Sequence, residues 1–198
     1  MNCIDSKGGV FVMRSNTKVW IEGTIIAALS VMLSFLPTDV GTTFTLSLGQ
    51  IPLTVYALRR GVRPAMLAGL IWGFLHFPLG QVIYLSIPQV LIEYILAYPF
   101  AGFAGFFAAK LQRALQEKNH GKTRRAIISA CIAGTFARYF WHFVAGYIFW
   151  GQYAMWGLSP VIYSLVINGV SALLTALAAT VILLVFEKIF PNVFIPAD

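Results

Sequence analysis

The sequence predicts an all-α integral membrane protein, a bundle of six transmembrane helices with both termini cytoplasmic. Three observations lead there: a chain that is 59% hydrophobic, a charged content of only 11%, and all but one of 14 basic residues at alternate connections. Soluble domains carry about a quarter charged residues, so 14 Lys+Arg and 7 Asp+Glu in 198 residues leave too little polar surface for a soluble fold. The mean hydropathy of +0.78 likewise excludes a disordered chain. A net charge of +7 points to nucleic acid only if the basic residues share a soluble face, and here they do not.

Taken in order, the predicted spans are 19–37, 46–58, 64–84, 86–109, 126–150 and 160–187. They form a transmembrane domain over 19–190, flanked by a cytoplasmic segment 1–18 and a tail 191–198. A spanning helix needs roughly 20 apolar residues, so the second segment, short and containing Pro52, reads alone as re-entrant or interfacial. A barrel is excluded because alternating segments of about ten residues are missing.

Lys7, Arg14 and Lys18 precede span one, and Arg59, Arg60 and Arg63 follow span two. Lys110, Arg113, Lys118, Lys122, Arg124 and Arg125 separate spans four and five, and Lys188 follows span six. The remaining connections hold one charge, Asp39. The positive-inside rule then orients the chain. Trp20, Trp150 and Trp156 fall near predicted interfaces and suit an aromatic belt. The first apolar run lacks a small-residue cleavage site, so no cleavable signal is expected. Cys3 and Cys131 form no disulfide or metal pattern, and no P-loop, G-x-S-x-G or H-E-x-x-H motif occurs. Uphill transport would therefore draw its energy from an ion gradient or a partner.

Only one basic residue, Arg138, falls inside a span. His142, Gly146 and Trp150 follow it at intervals of four, forming one helical stripe. Gly146 is either a gap for a flat ligand or a place where another helix packs closely. In span four the anomaly is Glu93, with Gln89 one turn away and Tyr94 and Tyr98 beside it. At 1.5 Å per residue Glu93 lies roughly 10 Å below the outer boundary, a depth shared with His142, Tyr163 and Asn168. Intramembrane ionisable groups usually face a partner or a cavity. The structural alternative is a buried Glu93–Arg138 ion pair that fixes helix register. One pair does not require so many further polar and aromatic groups at one level. Their convergence predicts an outward-facing pocket for a flat, cationic or amine-bearing molecule. His76 reads as a hydrogen-bonded core imidazole, and no metal site is expected. In span one, Gly23, Ala27 and Ala28 have small-xxx-small spacing, which serves either packing within the chain or a partner helix.

The tract Gly134-Thr135-Phe136-Ala137-Arg138-Tyr139-Phe140-Trp141-His142-Phe143-Val144-Ala145-Gly146, continuing Phe149-Trp150-Gly151, resembles the thiamine-specific substrate-binding components of energy-coupling factor transporters. Tyr163-Ser164-Leu165-Val166-Ile167-Asn168-Gly169, Ile92-Glu93-Tyr94 and Arg59-Arg60-Gly61 with Ala68-Gly69-Leu70-Ile71-Trp72-Gly73 are similar to further segments of that family. The likeness runs from about residue 20 to the C-terminus.

It implies a non-enzymatic subunit of the bacterial cell membrane that captures thiamine outside. Such a subunit works with a transmembrane coupling protein and two cytoplasmic ATPases, and takes no cofactor. By the same resemblance Glu93, Tyr163 and Asn168 would meet the aminopyrimidine, and His142 and Trp150 would stack on the rings. Tyr94, Tyr84 and Gly146 would line the site. Arg138 stands where the family typically has lysine, and Phe44 where it often has a tryptophan lid. Gly23, Ala27 and Ala28 are the expected contact for the coupling protein. A stand-alone proton-coupled transporter using Glu93 and His142, or a subunit for a related vitamin, are the competing expectations.

Overall fold

The computed structural model describes residues 10–40 and 44–196. Its helices are α1 (Val10–Ser34), α2 (Gln50–Arg60), α3 (Val62–Leu75), α4 (Ile87–Gln116), α5 (His120–Phe149) and α6 (Pro160–Ile189). Between α1 and α2 a two-residue antiparallel pair joins β1 (Asp39–Val40) to β2 (Phe44–Thr45). Cys3 and Lys7 lie outside the described residues.

Local sequence explains the helix ends. Ser86 accepts a hydrogen bond from the Gln89 amide at the start of α4 (3.3 Å), and Asn119 does the same for Lys122 at α5 (3.0 Å). Ser159 caps α6 through the Ile162 amide, followed by Pro160 in the first helical position. Gly61, at φ 83°, makes the break between α2 and α3 in a conformation that side chains disfavour.

Among the described residues, four helices are long and apolar enough to cross a membrane: α1 from Thr17, α4, α5 and α6. The other two expected spans come out shorter. The second is the 11-residue α2, and the third stops at Leu75 as the 14-residue α3 although 64–84 was expected. Pro78 and Gly80 interrupt the apolar run there, and the Gln81 amide bonds back to the His76 carbonyl (2.9 Å), closing a turn.

Helix α4 is irregular within its 30 residues. Leu91–Leu96 form a π turn and Ala101–Phe107 a 3₁₀ stretch. Pro99 lacks an amide hydrogen and crowds the preceding turn, so regular α bonding fails around it. The π turn is held against α3 at glycine: a Cβ on Gly73 would collide with the Tyr94 carbonyl, and one on Gly69 would lie 2.5 Å from the Tyr98 carbonyl. Close approach at these two glycines sets the depth and rotation of Glu93 and Tyr94.

Trp72, Leu53, Leu58, Leu111, Ile127, Leu183 and Phe194 are fully buried. Outward, large apolar side chains stand exposed along the long helices, among them Ile25, Met32, Leu173, Leu177 and Val185. Apolar exposure on this scale suits hydrocarbon and not water. At one end of the bundle Arg60 forks onto Glu22 (2.7 and 2.8 Å), while Arg59 donates to the carbonyls of Val193 and Ile195 (2.8 and 2.5 Å). The segment after α6 is therefore docked, with its Phe194 buried.

Small residues of α1 divide between two surfaces. Ala27 is 0% exposed, and a Cβ on Gly23 would sit 2.9 Å from the Tyr56 hydroxyl of α2. Both belong to packing within the chain, which corrects their expected role at a partner. Ala28 points outward.

Candidate functional site

Glu93 has no cationic partner among the described residues. One carboxylate oxygen accepts the indole N–H of Trp150 (2.7 Å) and the other accepts the Gln89 side-chain amide. Gln89 is itself fixed, accepting from the Leu85 amide (3.1 Å) and donating to the Ile83 carbonyl (3.1 Å). Two neutral donors thus satisfy part of a carboxylate's acceptor capacity and none of its charge. Sequence spacing placed these groups at one depth; the π turn brings the Glu93 side chain onto the Trp150 edge across 57 positions.

Arg138 is 5% exposed and also lacks a carboxylate partner among the described residues. Its Nη1 donates to the Ser47 hydroxyl (2.7 Å), and its Nε is buried without a hydrogen bond. The guanidinium carbon lies 4.3 Å from the Tyr98 ring centroid, 4.7 Å from Trp72 and 5.5 Å from Tyr139. Stacking on aromatic faces suits the planar guanidinium. The anticipated alternative, a Glu93–Arg138 ion pair, is absent among the described contacts: each charge sits in its own neutral cage.

A cavity of about 360 Å³ adjoins the cation, bordered by the end of α1, the 45–48 segment, Tyr94, Tyr98, Arg138 and Tyr139. Its size falls within the usual range for small-molecule sites. His76 also borders it, with Nδ1 on the Trp72 carbonyl (2.9 Å) and Nε2 on the Tyr98 hydroxyl (3.1 Å), so it is the bonded core imidazole expected. The Tyr94 hydroxyl bonds the Ile83 amide (3.2 Å) and the Gln81 carbonyl (3.3 Å).

His142 packs on Tyr139 and Tyr98, with centroids 5.6 and 6.0 Å away, and its buried Nε2 has no hydrogen-bond partner. An unpaired buried ring nitrogen is costly unless something completes it.

Phe44, Trp156 and Tyr163 form an aromatic row with centroid separations of 6.5 and 5.6 Å. Trp156 adopts φ 59°, which costs a bulky residue on the order of 1 kcal/mol or more. Its side chain touches both neighbours of the row, and the sequence had offered it only as a belt residue. Its position in a short Gly157-containing loop next to Tyr163 was the signal available. Ser47 and Trp72, which hold Arg138, also escaped the sequence reading, because each comes from a distant segment.

Asn168 donates to the carbonyl and hydroxyl oxygens of Ser164 (3.0 and 3.2 Å). Gly146 faces the same Ser164, whose hydroxyl a Cβ at 146 would strike. The missing side chain admits α6, so of the two readings of Gly146 the close-packing one holds. Tyr84 is 64% exposed in the loop before α4, next to Ile83, which bonds Tyr94 and Gln89.

Comparison with known proteins finds relatives along most of the chain. The family described as "Thiamine transporter protein (Thia_YuaJ)" matches residues 20–195. A protein named thiamine transporter ThiT from Lacticaseibacillus paracasei is 37% identical over 184 residues, covering 91% of this chain and 92% of its own. The protein of the same name from Bacillus subtilis is 31% identical over 153 residues, 75% and 79% of the two chains. The solved structure of ThiT from Listeria monocytogenes superposes with a TM-score of 0.89 at 41% identity, covering 91% of this chain and 99% of that one.

Proposed function

This chain belongs to the thiamine transporter protein family, as a multi-pass protein of the bacterial cell membrane, and we propose that it is the thiamine-capturing subunit of an ATP-driven importer of the energy-coupling factor type. It has no enzymatic step of its own in this scheme; separate cytoplasmic ATPases and a transmembrane coupling protein supply the energy. Both termini lie in the cytoplasm, and α2 and α3 complete six helices as the second and third spans, joined by a cytoplasmic turn at Gly61.

The observation that carries the proposal is a carboxylate without a cation. Glu93 is held by neutral donors from Trp150 and Gln89 in the outer half of the bundle. An aminopyrimidine offers such an acceptor a donating amine. The positive thiazolium suits aromatic faces, and Phe44, Trp156 and Tyr163 supply them. His142, with its unpaired Nε2, and Asn168 add polar contacts to the pyrimidine, while Tyr94 and Arg138 border the adjoining cavity. Arg138 in this scheme excludes the positive ring from its own side and turns the ligand's cationic end toward the outer aromatic row. Tyr84, beside the Ile83 that bonds Tyr94 and Gln89, would line the rim of the site. For the coupling protein, the outward face of α1 around Ala28 is the contact.

Radiolabelled thiamine binding to the purified protein tests the proposal. Saturable binding is expected, weakened by Glu93→Gln; the absence of saturable binding by the unaltered protein would refute it. Uptake confined to cells that contain the coupling protein would separate this scheme from a stand-alone proton-coupled carrier.

A further inference from the structure

A second cavity, of about 430 Å³, opens far from Glu93 between the end of α4 and the start of α5. Four basic residues line it: Lys110 and Arg113 from α4, and Lys122 and Arg125 from α5. One carboxylate, Glu117, shares the cleft and pairs with Lys122 (2.9 Å). Lys110 lies over the Phe107 ring (5.5 Å), while Arg113 and Arg125 have no ion-pair partner among the described residues. Ser129 adds a hydroxyl at the inner wall.

Both walls turn apolar toward the bundle middle. On α4, Lys110, Arg113 and Glu117 follow helical spacing, and Phe106, in the 3₁₀ stretch before them, is exposed. On α5 the row 122, 125, 129, 132 and 136 continues to exposed Ile132 and Phe136. From Arg125 to Phe136 this track is roughly 16 Å long. A basic cleft and exposed apolar side chains in line beyond it are the two halves of an amphiphile site. Clusters of Lys and Arg between helices at the cytoplasmic interface attract anionic headgroups.

We propose that the α4–α5 cleft is a binding site for one anionic phospholipid of the inner leaflet. The phosphate meets Arg113 and Arg125, Lys110 closes the open side, and an acyl chain lies along Phe106, Ile132 and Phe136. A free phosphate compound shares the head chemistry but leaves the apolar track empty, which makes the lipid the occupant. The leaflet rests on the orientation proposed above; the binding itself does not.

Native mass spectrometry of the full chain, with dioleoyl phosphatidylglycerol against dioleoyl phosphatidylcholine, tests this. The unaltered protein is expected to retain one anionic lipid with about tenfold preference, and the variant Lys110→Gln/Arg113→Gln/Arg125→Gln to fall to about twofold or less. The charge-retaining Arg113→Lys/Arg125→Lys variant keeps most of the preference, and the thermal midpoint without lipid shows that each variant is folded. No preference in the unaltered protein overturns the site, whatever the variants do. So does a preference that persists in the folded triple variant, or displacement of the lipid by millimolar glycerol phosphate, which would mark a soluble-phosphate site instead. Thiamine enters none of these readouts, so failure here and failure of the transport proposal are distinct.

Discussion

The two ends of the bundle treat charge in opposite ways. Where α1, α2 and the segment after α6 meet, Glu22 is matched by Arg60 and Arg59, and Arg59 goes on to satisfy two carbonyls. Around the π turn, Glu93 and Arg138 are both inside the protein, yet neither reaches the other. A forked guanidinium–carboxylate pair satisfies both groups and leaves little for a ligand. Separated charges in neutral cages retain their reach toward something that arrives later, and holding them apart takes structure. At Glu93 that structure is the π turn seated on Gly69 and Gly73; at Arg138 it is the aromatic box of Trp72, Tyr98 and Tyr139. One end serves to hold the fold together, and the other stores unmet interaction.

Substitutions can break this contrast, and the largest effect is expected at the carboxylate. Glu93→Gln preserves shape and the Trp150 contact but removes charge, so thiamine binding measured by tryptophan quenching should weaken by about 100-fold, in line with hydrogen bonds to charged groups. The thermal midpoint should hardly move. Next comes Gly146→Ala, which forces Ser164 away from the Phe143 carbonyl (2.8 Å) and should destabilise the protein by about 1–3 kcal/mol. Adding Ser164→Ala should recover part of that loss in the same melting assay, because the clash disappears with the hydroxyl.

A smaller effect is expected from Trp150→Phe, which deletes the N–H on Glu93 while keeping a ring. Binding should weaken by about tenfold, and a smaller change would mean that the indole only shields the carboxylate. The smallest belongs to the opposite end: Arg60→Gln should cost about 1 kcal/mol or less of stability with thiamine binding unaltered, since its pair with Glu22 is partly solvated. A marked loss of binding there would erase the division between the two ends.

Much of this was legible in the order of residues. Apolar length gave α4, α5 and α6, although α5 begins at His120 where a start at 126 was expected. What escaped depends on contacts between distant segments. For Arg138 the sequence left an ion pair with Glu93 open as the alternative to a pocket. Instead Arg138 turns to Ser47, 91 positions earlier, because a row of aromatic faces lies closer than the carboxylate. Apolar composition alone ran span three on to residue 84, where Pro78 and Gly80 end it at Leu75. Small residues in α1 looked alike in sequence, yet only packing against Tyr56 separates Gly23 and Ala27 from Ala28.

The central claim is that Glu93 is the acceptor for the pyrimidine amine. Calorimetric titration of thiamine against its analogue bearing a hydroxyl in place of that amine, in the unaltered protein and in Glu93→Gln, tests it most directly. The account predicts about 100-fold preference for thiamine in the unaltered protein, falling to about fivefold or less in the variant, because the discrimination resides in one charged hydrogen bond. Equal preference in both proteins would contradict it.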